Sequence, residues 1–151
     1  MKFFVRSLVA AVLVASPLLA QRATRADAEA LVKDAIKFYK AKGKEPAFKA
    51  ITTVGGPFSK YDGELYVFVY GMDGVVLAHG QGAYRVGENQ LKAKDPSGRE
   101  FVQERIQLAK AKGKGWHDYQ YLHPVHKRVE NKTSYIEVCD DLIFGAGIYR
   151  K

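Results

Sequence analysis

Three runs near the end of the chain, residues 115–123, 132–139 and 142–149, alternate apolar or ring-bearing side chains with polar ones. Short connections separate them: a loop from Pro124 to Asn131, then a tight turn at Asp140-Asp141. Successive side chains of a strand point to opposite faces, and antiparallel neighbours need only short turns, so these runs dictate an antiparallel meander. In the first run, Gly115-Trp116-His117-Asp118-Tyr119-Gln120-Tyr121-Leu122-His123-Pro124, alternation puts His117, Tyr119, Tyr121 and His123 on one face. Trp116, Asp118, Gln120 and Leu122 take the other. Two His and two Tyr make a poor dry core, because each buried polar tip needs a partner. Such a face suits the wall of a polar small-molecule site. On this strand alone, a half-exposed face with packed ring bodies and wet tips fits equally well.

Upstream, Ala28, Leu31, Val32, Ala35 and Tyr39 recur at helical spacing between Thr24 and Lys42, with Ile36 and Phe38 widening the stripe. Thr24 followed by Asp27 marks the N-cap and Gly43 the C-cap of a long amphipathic helix. Pro46 opens a short helical turn with Ala47, Phe48 and Ile51, ended by Gly55-Gly56-Pro57. Residues 64–70 then read as a strand with apolar or aromatic side chains on both faces, which requires cover on both. Gly71-Met72-Asp73-Gly74 turns it into a second strand, Val75 to His79, completing a hairpin.

From Gly80 to Lys94 three glycines and little periodicity give a long irregular connection of the kind that serves as a lid. Asp95-Pro96-Ser97-Gly98 initiates a second amphipathic helix, residues 99–112, with a stripe of Phe101, Val102, Ile106, Leu108 and Ala109. The order predicts an α+β domain: a PAS-like five-stranded antiparallel sheet with helices on one side.

At 151 residues the chain holds one domain with a real core. Residues 1–20 combine a basic start, an apolar stretch short for a bilayer span and a small residue at Ala20, as in a cleaved signal peptide. The expected organisation is therefore a leader over 1–20 and one domain over 21–151, periplasmic or secreted. An uncleaved anchor holding the domain to a membrane is the competing arrangement. The net charge of +8 lies on Lys-rich helix faces rather than in an arginine stripe, which argues against nucleic acid. Cys139, the one cysteine, forms no intramolecular disulfide and reads as a buried thiol.

Several residues stand out as site candidates. Lys132 begins the strand after the Tyr-bearing one, and beside Tyr119, Tyr121 and Tyr135 it supplies a cation with neutral donors, a set matched to a small carboxylate. His79 ends its strand at the mouth of the glycine-rich loop, placed to act as a donor. His117, His123 and His126 invite a metal reading, but their spacing fits no zinc pattern, and no cofactor is expected. No nucleophile elbow, phosphate-binding glycine loop or Cys beside a base is present, so the chain is not expected to be an enzyme.

The segments from Tyr61 to Tyr70, Gly71 to His79, Lys94-Asp95-Pro96-Ser97-Gly98, Gly115-Trp116 to Pro124, Lys132-Thr133-Ser134-Tyr135 and Gly145-Ala146-Gly147-Ile148-Tyr149 together resemble a single Cache domain of the second type. The resemblance implies an extracytoplasmic PAS-like sensor that binds small molecules, commonly short organic acids, without catalysis. Carried over residue by residue, it implies a pocket of Tyr119, Tyr121, Lys132 and Tyr135 framed by Trp116 and His79. Gly80 stands where proline often follows that histidine, and residues 123–131 are richer in His and basic residues than usual. A freestanding binding protein that hands occupancy to a membrane receptor or kinase is the expected arrangement. An exported metal or enzymatic protein using His117, His123 and His126, or a basic interaction protein, are the alternatives.

Overall fold

The computed structural model describes residues 22–150. The leader expected over residues 1–20 lies outside the described residues, and among these no helix is long and apolar enough to cross a membrane. The elements are α1 (Arg25–Lys42), α2 (Lys44–Thr52), β1 (Ser59–Lys60), β2 (Leu65–Gly71), β3 (Val76–His79), α3 (Phe101–Lys112), β4 (Lys114–Leu122), β5 (Val129–Cys139) and β6 (Leu142–Arg150).

All strand pairs are antiparallel, in the order β1-β2-β6-β5-β4, with β3 also on β2. The meander of the last three strands and the β2–β3 hairpin stand as the alternation required. Asp140 and Asp141 both adopt positive φ, 48° and 57°, the twist that a two-residue hairpin turn needs. The sheet has six strands rather than five. The extra one, β1, pairs only Ser59 with Tyr66 and Lys60 with Leu65, too short to leave an alternation in the sequence.

The helices do not share one side. On one face Leu65, Val67 and Val69 of β2 pack with Phe144 and Ala146 of β6 and with Leu31, Val32 and Ala35 of α1. On the other, Tyr66, Phe68 and Tyr70 meet Ile136, Ile143 and Phe101, Val102 and Ile106 of α3. This corrects the one-sided expectation: an apolar stripe shows that a helix is covered, not which face of the sheet covers it. Residues 65–70 are buried on both faces, as their composition demanded.

Local chemistry fixes the ends. Thr24 and Asp27 form a reciprocal capping box at the start of α1. Before α3, the buried Asp95 carboxylate accepts from Ser97 N–H at 2.9 Å, Ser97 O–H at 2.6 Å, Arg99 N–H at 3.1 Å and Gln120 N–H at 3.0 Å. Burial pushes its pKa up, but these donors win and hold it below the usual carboxylate range. The turn before α3 is thereby tied to β4.

Candidate functional site

The α3 face of the sheet carries an unusual concentration of polar tips. Lys132 on β5 is 1% exposed, and no described residue forms an ion pair with it. Its ammonium donates to the Tyr66 hydroxyl at 3.0 Å and to the Tyr149 hydroxyl at 3.4 Å. It also lies 4.3 Å, 4.7 Å and 5.2 Å from the ring centres of Tyr66, Tyr149 and Tyr121. Burial, and then the Arg105 charge, hold its pKa well below the ordinary lysine value, with Glu64 acting in the opposite sense.

Period two brings the neighbours in. Lys132 pairs across with Tyr119 on β4 and Tyr149 on β6, and Ser134 pairs with Gly147. Tyr119 and Ser134 share a hydrogen bond of 2.9 Å. Gly147 is required here: a Cβ at that position would collide with the Ser134 hydroxyl and come within 2.8 Å of Lys132 Cε.

His79 closes one end. Its ring lies 5.1 Å from that of Tyr66, and its Nδ1 accepts from Gln81 N–H at 3.3 Å, which leaves the proton on Nε2. Burial, with Lys132, Arg85 and Arg105 adding to it, lowers its pKa to about 3, so the ring is a neutral donor at physiological pH. Tyr84 and Arg85 of the glycine-rich connection stand over this end, with Tyr84 6.5 Å from the His79 ring and Arg85 5.9 Å from the Tyr121 ring.

Of the six residues expected to form the site, the fold gathers four, His79, Tyr119, Tyr121 and Lys132, on this face. Trp116 and Tyr135 are separated from them. They lie against the α1 face, 5.6 Å apart, with the Arg25 guanidinium 4.5 Å over the indole and the Tyr135 hydroxyl donating to Glu137 at 2.6 Å. The reason is parity: Tyr135 is three residues from Lys132 on the same strand and so points the other way.

Three further residues belong to the cluster. Tyr66 and Tyr149 touch the Lys132 ammonium. Arg105 of α3, also 1% exposed, holds its guanidinium over the rings of Phe68, Tyr70, Phe101 and Tyr119 at 4.4–5.6 Å, and its Nε has no partner. The sequence does carry its signal. Arg105 falls four residues after Phe101, three after Val102 and four before Ala109, a cation inside an apolar stripe.

The remaining histidines are held by hydrogen bonds of their own. His123, His126 and Glu130 are close enough to be compared with a metal site. However, His123 Nδ1 accepts from the N–H groups of Val125 and His126, each at 3.1 Å, so its proton sits on Nε2. As bonded, that ring has no lone pair left for a metal. Glu130 is held by Arg128 at 2.7 Å and His126 at 2.8 Å. His117 is stacked on Tyr119 at 5.1 Å and reaches Glu104 at 3.3 Å, remote from any such set.

This fold agrees with what the chain is similar to. The Cache domain profile matches residues 20–151, and the chain belongs to that family, whose members are extracytoplasmic ligand-binding sensor domains rather than catalysts. The sensor histidine kinase MctS of Rhizobium johnstonii is 34% identical over 91 residues, 59% of this chain. The match spans 20% of that kinase's length. A methyl-accepting chemotaxis protein from Vibrio parahaemolyticus has the same fold, with a TM-score of 0.70 at 21% identity over 82% of this chain and 86% of that one. A Cache chemosensory domain whose structure is described as the basis for carboxylic acid recognition has a TM-score of 0.66 at 21% identity, covering 82% and 86%.

Proposed function

We propose that this domain recognises a short organic acid outside the cytoplasm, exported by the segment over residues 1–20, and passes its occupancy to a membrane receptor or kinase. The observation that carries the reading is Lys132: a buried ammonium without a carboxylate partner among the described residues, ringed by the phenols of Tyr66, Tyr121 and Tyr149. A buried charge is costly unless paired, and a ligand carboxylate supplies the missing pair while the phenols of Tyr66 and Tyr121 donate to its remaining lone pairs; the Tyr149 hydroxyl donates instead to the Leu122 carbonyl at 2.8 Å. His79 and Tyr119 stand beside them as further donors, and Tyr84 and Arg85 of the connection over residues 80–94 lie against His79 and Tyr121. The carboxylic acid recognition described for the similar Cache domain, and the kinase relative, support the ligand class and the partner class respectively.

The test is a thermal-shift and calorimetric screen of the purified protein against short carboxylates, amino acids and purines. A ligand at a hundred times its Kd stabilises the folded state by about 2.7 kcal/mol. A shift with a carboxylate that Lys132→Met abolishes supports the reading. Shifts confined to uncharged ligands, or unchanged in that variant, count against it.

A further inference from the structure

Three large apolar side chains are left exposed within one short stretch, residues 122–129. Leu122, Val125 and Val129 are 51%, 48% and 49% exposed. Leu122 and Val129 pair across the end of β4 and the start of β5, and Val125 stands on the loop that joins them. That loop is built around His123, whose ring is buried between His126 at 3.9 Å and Tyr149 at 4.3 Å. The His123 Nδ1 accepts from the N–H groups of Val125 and His126, and its carbonyl accepts from Lys127 N–H at 2.9 Å. Its own N–H donates to the Arg128 carbonyl at 2.8 Å. Pro124 has no N–H, so every backbone donor from His123 to Lys127 is satisfied within the loop. An apolar tip whose donors are already bonded can leave water without the penalty of bare N–H groups.

Cations stand beside the apolar three. Lys127 is exposed and forms no ion pair among the described residues. Arg128, with its side chain 72% exposed, is held to Glu130 through Nε at 2.7 Å. Aliphatic side chains flanked by cations suit a negatively charged lipid surface, where the first enter among the headgroups and the second meet phosphates. Three aliphatic side chains cover far less than the roughly 1,000 Å² that a specific protein interface needs. The placement agrees. The first turn of α1 sets Asp27 near Tyr61, beside the start of β2. Its last turn sets Tyr39 near Asp140, in the turn at the opposite end of β5 from Val129. The chain before Arg25 therefore leaves the domain on the side of the tip, and that chain includes residues 1–20, a basic start followed by an apolar stretch.

We propose that the tip over residues 122–129 rests on an anionic bilayer surface, with Leu122, Val125 and Val129 in the headgroup region and Lys127 and Arg128 against lipid phosphates. This contact is independent of the ligand that Lys132 takes. It sets which end of the domain faces the membrane.

An environment-sensitive fluorophore attached to the purified protein through Val125→Cys, and separately through Lys112→Cys at the other end of β4, reads the contact directly, since Cys139 is buried. The surfaces are vesicles of phosphatidylcholine alone and of phosphatidylcholine with an equal part of phosphatidylglycerol. The expected result is a blue shift at position 125 on the mixed vesicles, none at position 112, and loss of the shift at high salt. In sedimentation of the unlabelled protein, Val125→Asp should weaken binding to the mixed vesicles by about tenfold. Because the label reports its own surroundings, a protein held on vesicles by residues 1–20 alone shows no shift at position 125, and that result overturns the proposal. Equal shifts at both positions, a shift of the same size on the neutral vesicles, or a shift that grows with protein concentration in the absence of vesicles overturns it as well. Val129→Cys gives the same reading where Val125→Cys fails to fold.

Discussion

The Lys132 ammonium donates at 3.0 Å to the hydroxyl of Tyr66, a residue 66 positions away on a strand that is not its neighbour. β6 runs between them, and its Gly147 leaves the space that the Lys132 stem crosses, while Phe68 fills the space over Gly145. The cation is thus held by tyrosines from either side of the sheet's centre, in a setting that gives it hydrogen bonds but no ion-pair partner among the described residues.

Replacing that ammonium separates its structural from its binding role. Lys132→Met keeps the length of the stem and removes an unpaired buried cation, so the empty protein should change in stability by less than about 1 kcal/mol or gain. The same variant should lose the carboxylate-induced rise in Tm. Melting curves with and without ligand check both at once.

Ligand affinity should depend on pH through the same group. Lys132 in the empty site is held well below its ordinary value by burial and by Arg105, and a carboxylate beside it raises it again. Binding therefore takes up a proton wherever the pH lies between those two pKa values. Affinity falls as pH rises through that interval, by up to about tenfold per pH unit. Calorimetry in buffers of differing ionisation enthalpy reads the proton directly.

Acid should destabilise the fold before its carboxylates are neutralised. Burial lowers His79 to about 3 and His117 to about 4, against 6.5 for the ordinary side chain. Their folded pKa values are depressed, so the unfolded chain binds more protons below pH 6.5, and stability falls as pH drops from there towards 4. At about 1.4 kcal/mol per pKa unit the combined effect by pH 4 is at most about 7 kcal/mol. Chemical denaturation at a series of pH values should show it, and His117→Gln should flatten part of the slope.

Gly147→Ala places a methyl group against the Ser134 hydroxyl and the Lys132 stem. The overpacking should cost about 1–3 kcal/mol of stability. Because the displaced atoms belong to the cluster, carboxylate affinity should fall as well, whereas a destabilisation confined to α1 leaves affinity alone.

Thr24→Ala supplies that comparison. Loss of the reciprocal cap on α1 should cost about 1 kcal/mol. It should lower Tm by roughly 4 °C in a domain of this size with ligand binding unchanged.

Much of the architecture could be read from the chain because periodicity reports burial directly. The alternation of residues 115–123 and the double-sided burial of residues 65–70 located both the meander and the strand that pairs with β6. Which side of the sheet α3 would cover left no trace, since its stripe is satisfied by either. The cluster around Lys132 was half legible. Tyr119, Tyr121 and His79 could be placed by parity and position, and parity applied to the step from 132 to 135 also separates Tyr135 from the lysine. Tyr66 meets Lys132 through a pairing of β2, β6 and β5 that no local pattern encodes. Arg105 was visible as a cation within an apolar stripe, a position where a helix ordinarily presents carbon.

β5 sends Lys132 and Ser134 to one side of the sheet and Thr133 and Tyr135 to the other, where Tyr135 packs in the cluster that contains α1. The route from an occupant to that helix is consequently a single layer of backbone. For an occupant of the proposed site, a displacement of one strand by a fraction of an ångström on the Lys132 side is a displacement of the seat on which α1 rests, with no relay of intermediate side chains in which the motion could be absorbed.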